Sequence, residues 1–515
     1  MKQLRLKNHL FLCGFWLFVV LSFVFKHVNN DFFVFWGYGK QVKLAVSNGP
    51  SALLEIWEIK GILFRLYVYI EYLITSYLCG DLFTLQAQAV YKFIGLVMLL
   101  TILWAAVKLI PDKFVPDTSY RTFIFLTISV LLLAGQCVSH LQTEMFGVFI
   151  LILATSLCLD NNKRWIAGIL LGLLFFIKTP IVLMGGSLFF VYLLINGYSL
   201  IFSIKTFIPI AAGSVLTLLG GILFLYLFYP QELFDIYDAS QYEHTMFEYF
   251  TIYSLYESGC TFLSHLPNIF LYQPVIGLAC ICFLIELIWA ITDRSYRTII
   301  LYALMLFFPI AYVMIAHCFF PYHYYLLSYP SVVIVLYSGK RISKNRIIHK
   351  VMYCFIIILF SSYVFLFSAI SPYNISTSKE YHKFQCQNSE KVQKILAEHP
   401  SSKILYLDSG YSPSIFPTPS YLRYLYPLPI QRFNEQLSDF ASSKTFNEVK
   451  QQILKYDNNI IVCDWDWFFI NEHPEIKEKL ELDYMVTDSI YQVEFTTEIM
   501  EKCELYKELV LTRRQ

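Results

Sequence analysis

The chain has 515 residues, of which 57% are hydrophobic and only 15% are charged. Together with a mean hydropathy of +0.54, this composition excludes an ordinary soluble globular protein and indicates an integral membrane protein. The formal net charge is +1, and the sequence has no basic stripe with interleaved aromatic residues, so nucleic acid is not an expected partner.

The N-terminal stretch MKQLRLKNHLFLCGFWLFVVLSFVF has the basic start and apolar core of a signal peptide, but no small-residue cleavage site follows it. We therefore expect a retained first helix. About eleven apolar runs are long enough, alone or as hairpins, to cross about 30 Å of hydrocarbon. They lie near residues 9–25, 90–110, 121–136, 142–159, 165–178, 180–196, 206–228, 273–292, 298–316, 324–339 and 350–370.

A further apolar segment, GILFRLYVYIEYLITSYLCG, carries Arg65, Glu71 and many tyrosines, and the topology depends on whether it crosses. If it does not cross, all the cytoplasmic loops are basic. They are KLIPDKFVPDTSYR, DNNKRW, the stretch with Lys205, TDRSYR and GKRISKNRIIHK. The outer loops then include Tyr229–Tyr272 and HCFFPYH, which contain no Lys or Arg. The positive-inside rule thus favours an interfacial amphipathic helix within a long first outer loop, residues 26–89.

This topology places the N-terminus in the cytoplasm and everything after about residue 370 outside the plasma (inner) membrane. Helical patterns at 389–398, 438–456 and 474–482 alternate with strand patterns in KILYLDSG and NIIVCDWD. The sequence therefore predicts an α-helical polytopic membrane domain, residues 1–370, followed by a small extracytoplasmic α/β domain, residues 371–515. Any disulfide among Cys386, Cys463 and Cys503 would leave one thiol over, and the sequence does not say which.

Ionisable residues at helix ends on one side of a bilayer are candidates for function, because a charge at membrane depth is costly. The topology puts a set of them at one depth on the outer side. They are Asp31, Glu55, Glu58, Lys60, Arg65, His140, Gln142, Glu144, Lys178, His317 and His323.

Asp31 follows the first helix directly, in NNDFFVFWGYGK, where the aromatic run is expected to anchor at the membrane interface. A carboxylate held there, partly desolvated, has a raised proton affinity and can act as a general base. The alternative is a solvated helix end.

The other candidates each have a functional and a structural interpretation. Lys60 and Arg65, in and after WEIKG, are cations at headgroup depth that can bind a lipid phosphate, or can merely snorkel. Glu144 lies near a helix N-terminus, where the dipole alone favours it. Lys178, just before Pro180, can also be a snorkelling residue, and His323, in FFPYHYYLLSYP, can belong to an aromatic belt.

No metal site is predicted. The loop Tyr229–Tyr272 is rich in Asp and Glu, but its spacing matches no calcium loop or H-E-x-x-H pattern, so a solvated acidic loop is favoured over a divalent metal site. The chain has no P-loop, Rossmann, C-x-x-C or G-x-S-x-G motif. The small residues in GSVLTLLGG and LMGGS favour close helix packing over a ligand role.

The order of these features resembles the GT-C superfamily of membrane glycosyltransferases. DFFVFWGYGK resembles the acidic motif of that family's first loop, and EIKG, Glu58 to Gly61, resembles its loop element with a phosphate-binding lysine. HLQTEMFGVFILILATSLCLDNNKRWIAGILLGLLFFIKTP resembles its helix pair ending in lysine, and HYYLLSYP a late outer-loop element. The resemblance covers roughly residues 1–370, and one departure is Gly61 where a proline is common.

The resemblance implies an enzyme that transfers a sugar from a polyprenyl-phosphate donor to a hydroxyl of a glycan, lipid or protein acceptor, with inversion and without a nucleotide cofactor. It implies that Asp31 is the catalytic carboxylate, and that Lys60, with Arg65 or His323, binds the donor phosphate. Glu58, Glu144 and Lys178 are further site candidates by the same comparison. The alternatives are a lipid-linked glycan flippase or transporter, which would line the full bilayer depth with polar groups, and a non-catalytic scaffold.

Overall fold

We describe the fold from a computed structural model. The structure describes residues 2–25, 31–46, 56, 61–81, 84–115, 117–135, 141–197, 200–230, 233, 252–315, 321–342, 383, 386–407, 412–422, 444–464, 470, 473–495 and 503–514. This part of the chain is mostly helical and also contains one small β-sheet.

Helices make up most of the described residues up to 342. In chain order they are α1 (Lys2–Phe25), α2 (Asp31–Val46), α3 (Ile62–Cys79), α4 (Leu85–Leu109), α5 (Thr118–Leu133), α6 (Thr143–Cys158), α7 (Arg164–Phe175), α8 (Met184–Asn196), α9 (Leu200–Phe228), α10 (Ile252–Tyr272), α11 (Pro274–Asp293), α12 (Arg297–Ile315) and α13 (Ser328–Ile342). Two 3₁₀ helices, Thr179–Leu183 and Pro321–Leu327, precede α8 and α13.

Six helices in the described residues are long and apolar enough to cross a membrane, which fits a helical membrane protein. They are Ile62–Cys79, Gln86–Leu109, Thr179–Asn196, Ser203–Phe228, Pro274–Thr292 and Arg297–Met314. The predicted count of eleven is not reproduced. Three of the predicted crossings, at 121–136, 142–159 and 165–178, are apolar helices of 16, 16 and 12 residues, and at about 1.5 Å per residue these are shorter than about 30 Å of hydrocarbon. The predicted crossing at 350–370 lies outside the described residues.

The segment predicted to lie at the interface, Ile62–Cys79, is one of the six helices that satisfy length and composition. Its packing partner is α2: Gly39 of α2 lies so close to Tyr72 that a Cβ at Gly39 would overlap the tyrosine side chain. The rings of Trp36 and Tyr72 meet edge to face at 5.0 Å.

The chain divides into two compact units. The helical unit comprises Met1–Lys26, Gly95–Phe224 and Met246–Pro372, and the second unit comprises His27–Ile94, Leu225–Thr245 and Tyr373–Gln515. The long first loop therefore groups with the C-terminal region, and the division after Pro372 falls close to the predicted boundary at 370.

Within the helical unit, small residues let helices approach closely, as predicted. A Cβ at Gly168 of α7 would overlap the carbonyl oxygen of Ile210 in α9, and one at Gly213 would lie 2.5 Å from the carbonyl oxygen of Trp165. Gly186 of LMGGS packs in the same way against the ring of Phe308. These glycines serve helix packing, which confirms the expectation for GSVLTLLGG and LMGGS.

The C-terminal region of the second unit is an α/β fold. Its elements are a helix at 386–398, then β1 (Leu405–Leu407), α14 (Ser412–Ile415), α15 (Lys444–Lys455), β2 (Ile460–Cys463), α16 (Pro474–Asp483), β3 (Tyr484–Phe495) and β4 (Cys503–Arg513). The sheet order is β1-β2-β4-β3, with β1 and β2 parallel and the other pairs antiparallel. The predicted strands in KILYLDSG and NIIVCDWD are confirmed, whereas the β3–β4 hairpin was not predicted.

Three residues from the aromatic run of α2, Phe35, Trp36 and Tyr38, lie in the protein core. Trp36 is fully buried and belongs to one hydrophobic cluster with Tyr72, Tyr91, Tyr406 and Val462. The expectation that this run anchors at the membrane interface is therefore wrong for Trp36. The reason is that α2 packs between α3 and the C-terminal fold, so the Trp36 ring contacts protein side chains and not lipid headgroups.

The strand register limits the disulfide question. Cys463 pairs with Leu509 of β4, and Cys503 pairs with Phe495 at the other end of the same strand. At about 3.4 Å per residue, Cys503 lies about 20 Å along β4 from the position opposite Cys463. A disulfide needs Cα atoms within about 7 Å, so Cys463 and Cys503 are not a pair.

Candidate functional site

Four separate elements of the helical unit bring polar side chains to one point. Glu144 lies in the first turn of α6, Lys178 between α7 and the first 3₁₀ helix, Tyr312 near the end of α12, and His323 on the second 3₁₀ helix. We call these four residues the Glu144 cluster. Three of them, Glu144, Lys178 and His323, are among the residues that the sequence predicted to converge.

Glu144 is the centre of the cluster and is fully buried. Its Oε1 accepts hydrogen bonds from Lys178 Nζ at 2.7 Å and from Tyr312 OH at 3.1 Å, and its Oε2 accepts one from Thr143 Oγ1 at 2.8 Å. The N-terminal end of α6 adds a favourable dipole. Both oxygens of this buried carboxylate are therefore satisfied by donors within the protein.

Lys178 reaches Glu144 because the helix before it ends. The backbone of Lys178 is extended (φ −163°, ψ 119°), and Pro180 occupies the first turn of the following 3₁₀ helix, where its missing N–H costs nothing. The ammonium group also lies 5.7 Å from the centre of the Tyr312 ring. The Lys178 side chain is 16% exposed whereas that of Glu144 is 0% exposed, so the lysine is the more accessible member of the ion pair.

His323 is fixed by its neighbours on a 3₁₀ helix, in which successive side chains point in three directions. Tyr324 OH lies 3.0 Å from Nδ1 of His265, and Tyr325 OH donates to the carbonyl oxygen of Leu132 at 3.0 Å. His323 points in the third direction, with Nε2 at 3.5 Å from Lys178 Nζ and 3.7 Å from Glu144 Oε1.

The chemistry available to the cluster follows from these contacts. The oxygens of Glu144 already accept from three donors inside the protein, so the carboxylate is suited to holding Lys178 and not to taking a proton from a substrate. Lys178, with a side chain 16% exposed, is the group able to face a ligand as a fixed cation, and His323, which is 4% exposed, lies beside it as a donor or acceptor. Such a pair suits an anionic oxygen, as in a phosphate ester.

Five of the other predicted residues, Asp31, Glu55, Glu58, Lys60 and Arg65, belong to the second unit. Asp31 is the first residue of α2, and its side chain lies outside the described residues, as do Glu55, Glu58 and Lys60. Arg65, on α3, is 1% exposed and donates from Nη1 to the carbonyl oxygen of Ile56 at 3.3 Å. A side chain buried in this way does not fit a direct contact with a donor phosphate.

Among the other outer-side residues, Gln142 is buried immediately before α6, and His140 and His317 lie outside the described residues. Thr143, Tyr312 and His265 were not predicted as site residues. Tyr312 stands alone in an apolar run, and nothing in the pattern marks its hydroxyl as a contact of Glu144.

No group of three or more His, Cys, Asp or Glu side chains in the described residues is arranged to hold a metal ion. Residues 231, 232 and 234–251 of the acidic loop lie outside that part of the chain. We compared the chain with family models, with curated proteins and with solved structures. None of the three comparisons found a match.

Proposed function

We propose that this protein is a membrane glycosyltransferase of GT-C type, which moves a sugar from a polyprenyl-phosphate donor to an acceptor hydroxyl on the extracytoplasmic face of the plasma membrane. The observation that carries the proposal is the Glu144 cluster, in which a buried carboxylate holds a lysine beside a histidine. In a membrane protein such buried ionisable groups are expensive and mark functional sites by default. The resemblance noted in the sequence supplies the substrate class.

In the reaction we propose, an acceptor hydroxyl loses its proton and its oxygen attacks the anomeric carbon. The bond from that carbon to the phosphate oxygen breaks, and the electron pair leaves with the polyprenyl phosphate. A cation beside the phosphate offsets the charge that develops on it. Lys178 fills this role because Glu144 fixes its position and His323 offers a second polar contact.

A separate part of the proposal rests on the sequence resemblance. It assigns the general base to Asp31 and a phosphate-binding cation to Lys60. For Arg65 we propose a supporting role. Its Nη1 donates to the carbonyl oxygen of Ile56, four residues before Lys60 in the chain, so Arg65 holds the backbone at Ile56 instead of contacting the donor.

The proposed topology places the first outer loop and the C-terminal domain on one side of the membrane. Contacts within the second unit support this: Lys40 of α2 donates from Nζ to the carbonyl oxygens of Ser414 and Ile415. Side chains cannot make such contacts across about 30 Å of hydrocarbon. We therefore propose that Asp31 and the C-terminal domain lie on the same face, with α3 along the interface.

The test is a complementation series in a strain that lacks the gene, with cell-envelope glycans measured by mass spectrometry at equal protein expression. We expect Lys178→Met to abolish the glycan product. The matched control is Lys163→Met, because Lys163 pairs with Asp160 where both side chains are partly exposed, and this variant is expected to leave the product unchanged. A normal product in Lys178→Met would remove the lysine from the mechanism.

A flippase would also lose the product when its polar site is damaged, so a second measurement separates the two functions. Detergent-solubilised membranes of the deletion strain retain donor and acceptor, but they no longer separate two compartments. Purified enzyme added to this mixture forms product if it is a transferase, whereas a flippase forms none. Asp31→Asn is expected to abolish product in the same assay, and full activity of that variant would contradict the proposed base.

A further inference from the structure

The C-terminal half of α2 is held by the C-terminal domain through side-chain contacts to backbone atoms. Lys40 Nζ donates to the carbonyl oxygen of Ser414 at 3.0 Å and to that of Ile415 at 2.8 Å. These carbonyls belong to the last residues of α14, Ser412–Ile415, where helix carbonyls lack partners within the helix. A lysine ammonium group, which has three donors, can satisfy both carbonyl oxygens at once.

The next residue of α2 continues the contact along the same chain segment. Gln41 Nε2 donates to the carbonyl oxygens of Pro413 at 3.2 Å and Thr418 at 3.3 Å, and Gln41 Oε1 accepts from the backbone N–H of Ser420 at 2.7 Å. Lys40 is 6% exposed and Gln41 0% exposed. Together the two side chains bind the backbone of residues 413–420, which we call the docking segment.

Glycines on α2 make this approach possible. A Cβ at Gly37 would lie 3.3 Å from the backbone nitrogen of Ser414, and a Cβ at Gly39 would overlap Tyr72 of α3. The two glycines of WGYGK thus let the docking segment and α3 come close to α2 on different faces. Lys40 follows directly after Gly39, so the close packing of the glycines and the hydrogen bonds of Lys40 lie within one turn of α2.

We propose that Lys40 and Gln41 are positioning residues that set the place of Asp31 through the body of α2. Asp31 begins this helix, about 13 Å along the axis from Lys40. A helix clamped at its C-terminal half by the docking segment and α3 can pivot little, so its first residue is held in place. The C-terminal domain then contributes to the reaction by fixing the helix that carries the base.

This inference rests on the proposed role of Asp31. Its test therefore distinguishes a failure of the inference from a failure of that proposed role. The variants are Lys40→Met and Gln41→Ala in the full chain, and the matched control is Lys43→Met. Lys43 lies on the same helix, with a side chain 40% exposed, and pairs with Asp81, so its loss removes a lysine from α2 without touching the docking segment.

Two readouts are combined. Hydrogen–deuterium exchange of residues 31–46 and 412–422 is expected to be faster in Lys40→Met and Gln41→Ala than in the wild type and in Lys43→Met. Product formation in the detergent-solubilised membrane assay is expected to fall by up to about 100-fold, the cost of a misplacement of about 1 Å. A merely structural role would lower the amount of folded enzyme but would leave the pH–activity profile of the remaining enzyme unchanged, whereas displacement of the base moves the acid limb of that profile.

Faster exchange in α2 together with wild-type product formation and an unchanged acid limb would overturn the inference. Unchanged exchange in both variants would also overturn it, because the contacts would then not hold the helix. If Lys40→Met does not accumulate, Gln41→Ala decides, since it removes only neutral hydrogen bonds. Full activity of Asp31→Asn in the same experiment would instead reject the proposed base, and so identifies a failure of the proposed function.

Discussion

Lys40 and Ile415 are 375 residues apart in the chain, yet the ammonium nitrogen of one lies 2.8 Å from the carbonyl oxygen of the other. This contact ties the first loop to the C-terminal domain within one compact unit. It gives a structural reason for WGYGK that the sequence alone did not supply. The motif holds α2 in place instead of anchoring it in the membrane interface.

The docking contact has a pH dependence that follows from burial. Desolvation lowers the pKa of Lys40 from 10.5 to about 8, although Asp81 raises it, and Lys43 lowers it further. Between about pH 8 and 10.5, Lys40 keeps its proton in the unfolded chain but loses it in the folded protein. The free energy of unfolding therefore rises as the pH increases through that window. Below about pH 8 the lysine is charged in both states, so its protonation adds no further pH dependence.

We therefore expect the stability of the wild type relative to Lys40→Met to increase from pH 8 to pH 10.5. Hydrogen–deuterium exchange of residues 412–422, compared between the two proteins at each pH, measures the difference. Lys43→Met is the control, because it removes a lysine from the same helix and keeps Lys40. A difference that is constant across the range would mean that Lys40 is not buried in its docked position.

The ion pair of Glu144 and Lys178 predicts a double-mutant cycle. Lys178→Met leaves a buried carboxylate without its cation, and breaking such a pair costs about 3–5 kcal/mol. Glu144→Gln in the same chain removes the stranded charge, so the double variant is expected to be more stable than Lys178→Met alone. Thermal unfolding of the detergent-solubilised proteins, followed by tryptophan fluorescence, gives both values, and simple additivity of the two losses would contradict the pair.

The hydroxyl of Tyr312 provides a finer test of the cluster. Tyr312→Phe removes one donor to Glu144 Oε1 and is expected to cost about 1.5–3 kcal/mol, the range for a hydrogen bond to a charged group. It should also lower glycan product, because Lys178 and Tyr312 share that oxygen.

Tyr302 is a matched control for this change. It lies on the same helix, α12, it is also buried, and its hydroxyl is 2.7 Å from Ser338 Oγ. We expect Tyr302→Phe to leave glycan product at the wild-type level. Equal losses of product in both variants would indicate a general effect of buried tyrosine hydroxyls and not a role for the cluster.

Close packing of α7 and α9 predicts a strong effect of a single methyl group. Gly168→Ala places a Cβ against the carbonyl oxygen of Ile210, and it is expected to destabilise the helical unit by about 1–3 kcal/mol through overpacking. Gly220→Ala on α9 is the control, because nothing lies within 4 Å of its added Cβ. Thermal unfolding in detergent compares the two, and equal melting temperatures would contradict the close crossing.

Much of the architecture was predictable from local pattern. The apolar runs, the strand patterns in KILYLDSG and NIIVCDWD, and the small-residue stripes each report on residues that are near one another in the chain. The number of long spans was not predictable from hydropathy alone, since an apolar run can form a helix too short to cross. The β3–β4 hairpin was missed because the mixed polar and apolar residues of Tyr484–Phe495 lack a clear alternation.

The candidate site divides in the same way. The sequence determined that Glu144, Lys178 and His323 are ionisable groups at the ends of apolar helices, where charge is costly and therefore informative. Only the tertiary structure decided that Glu144 holds Lys178, that Tyr312 joins them, and that Arg65 is enclosed. Hydrogen bonds of this kind depend on distances between elements far apart in the chain, and no local periodicity records those distances.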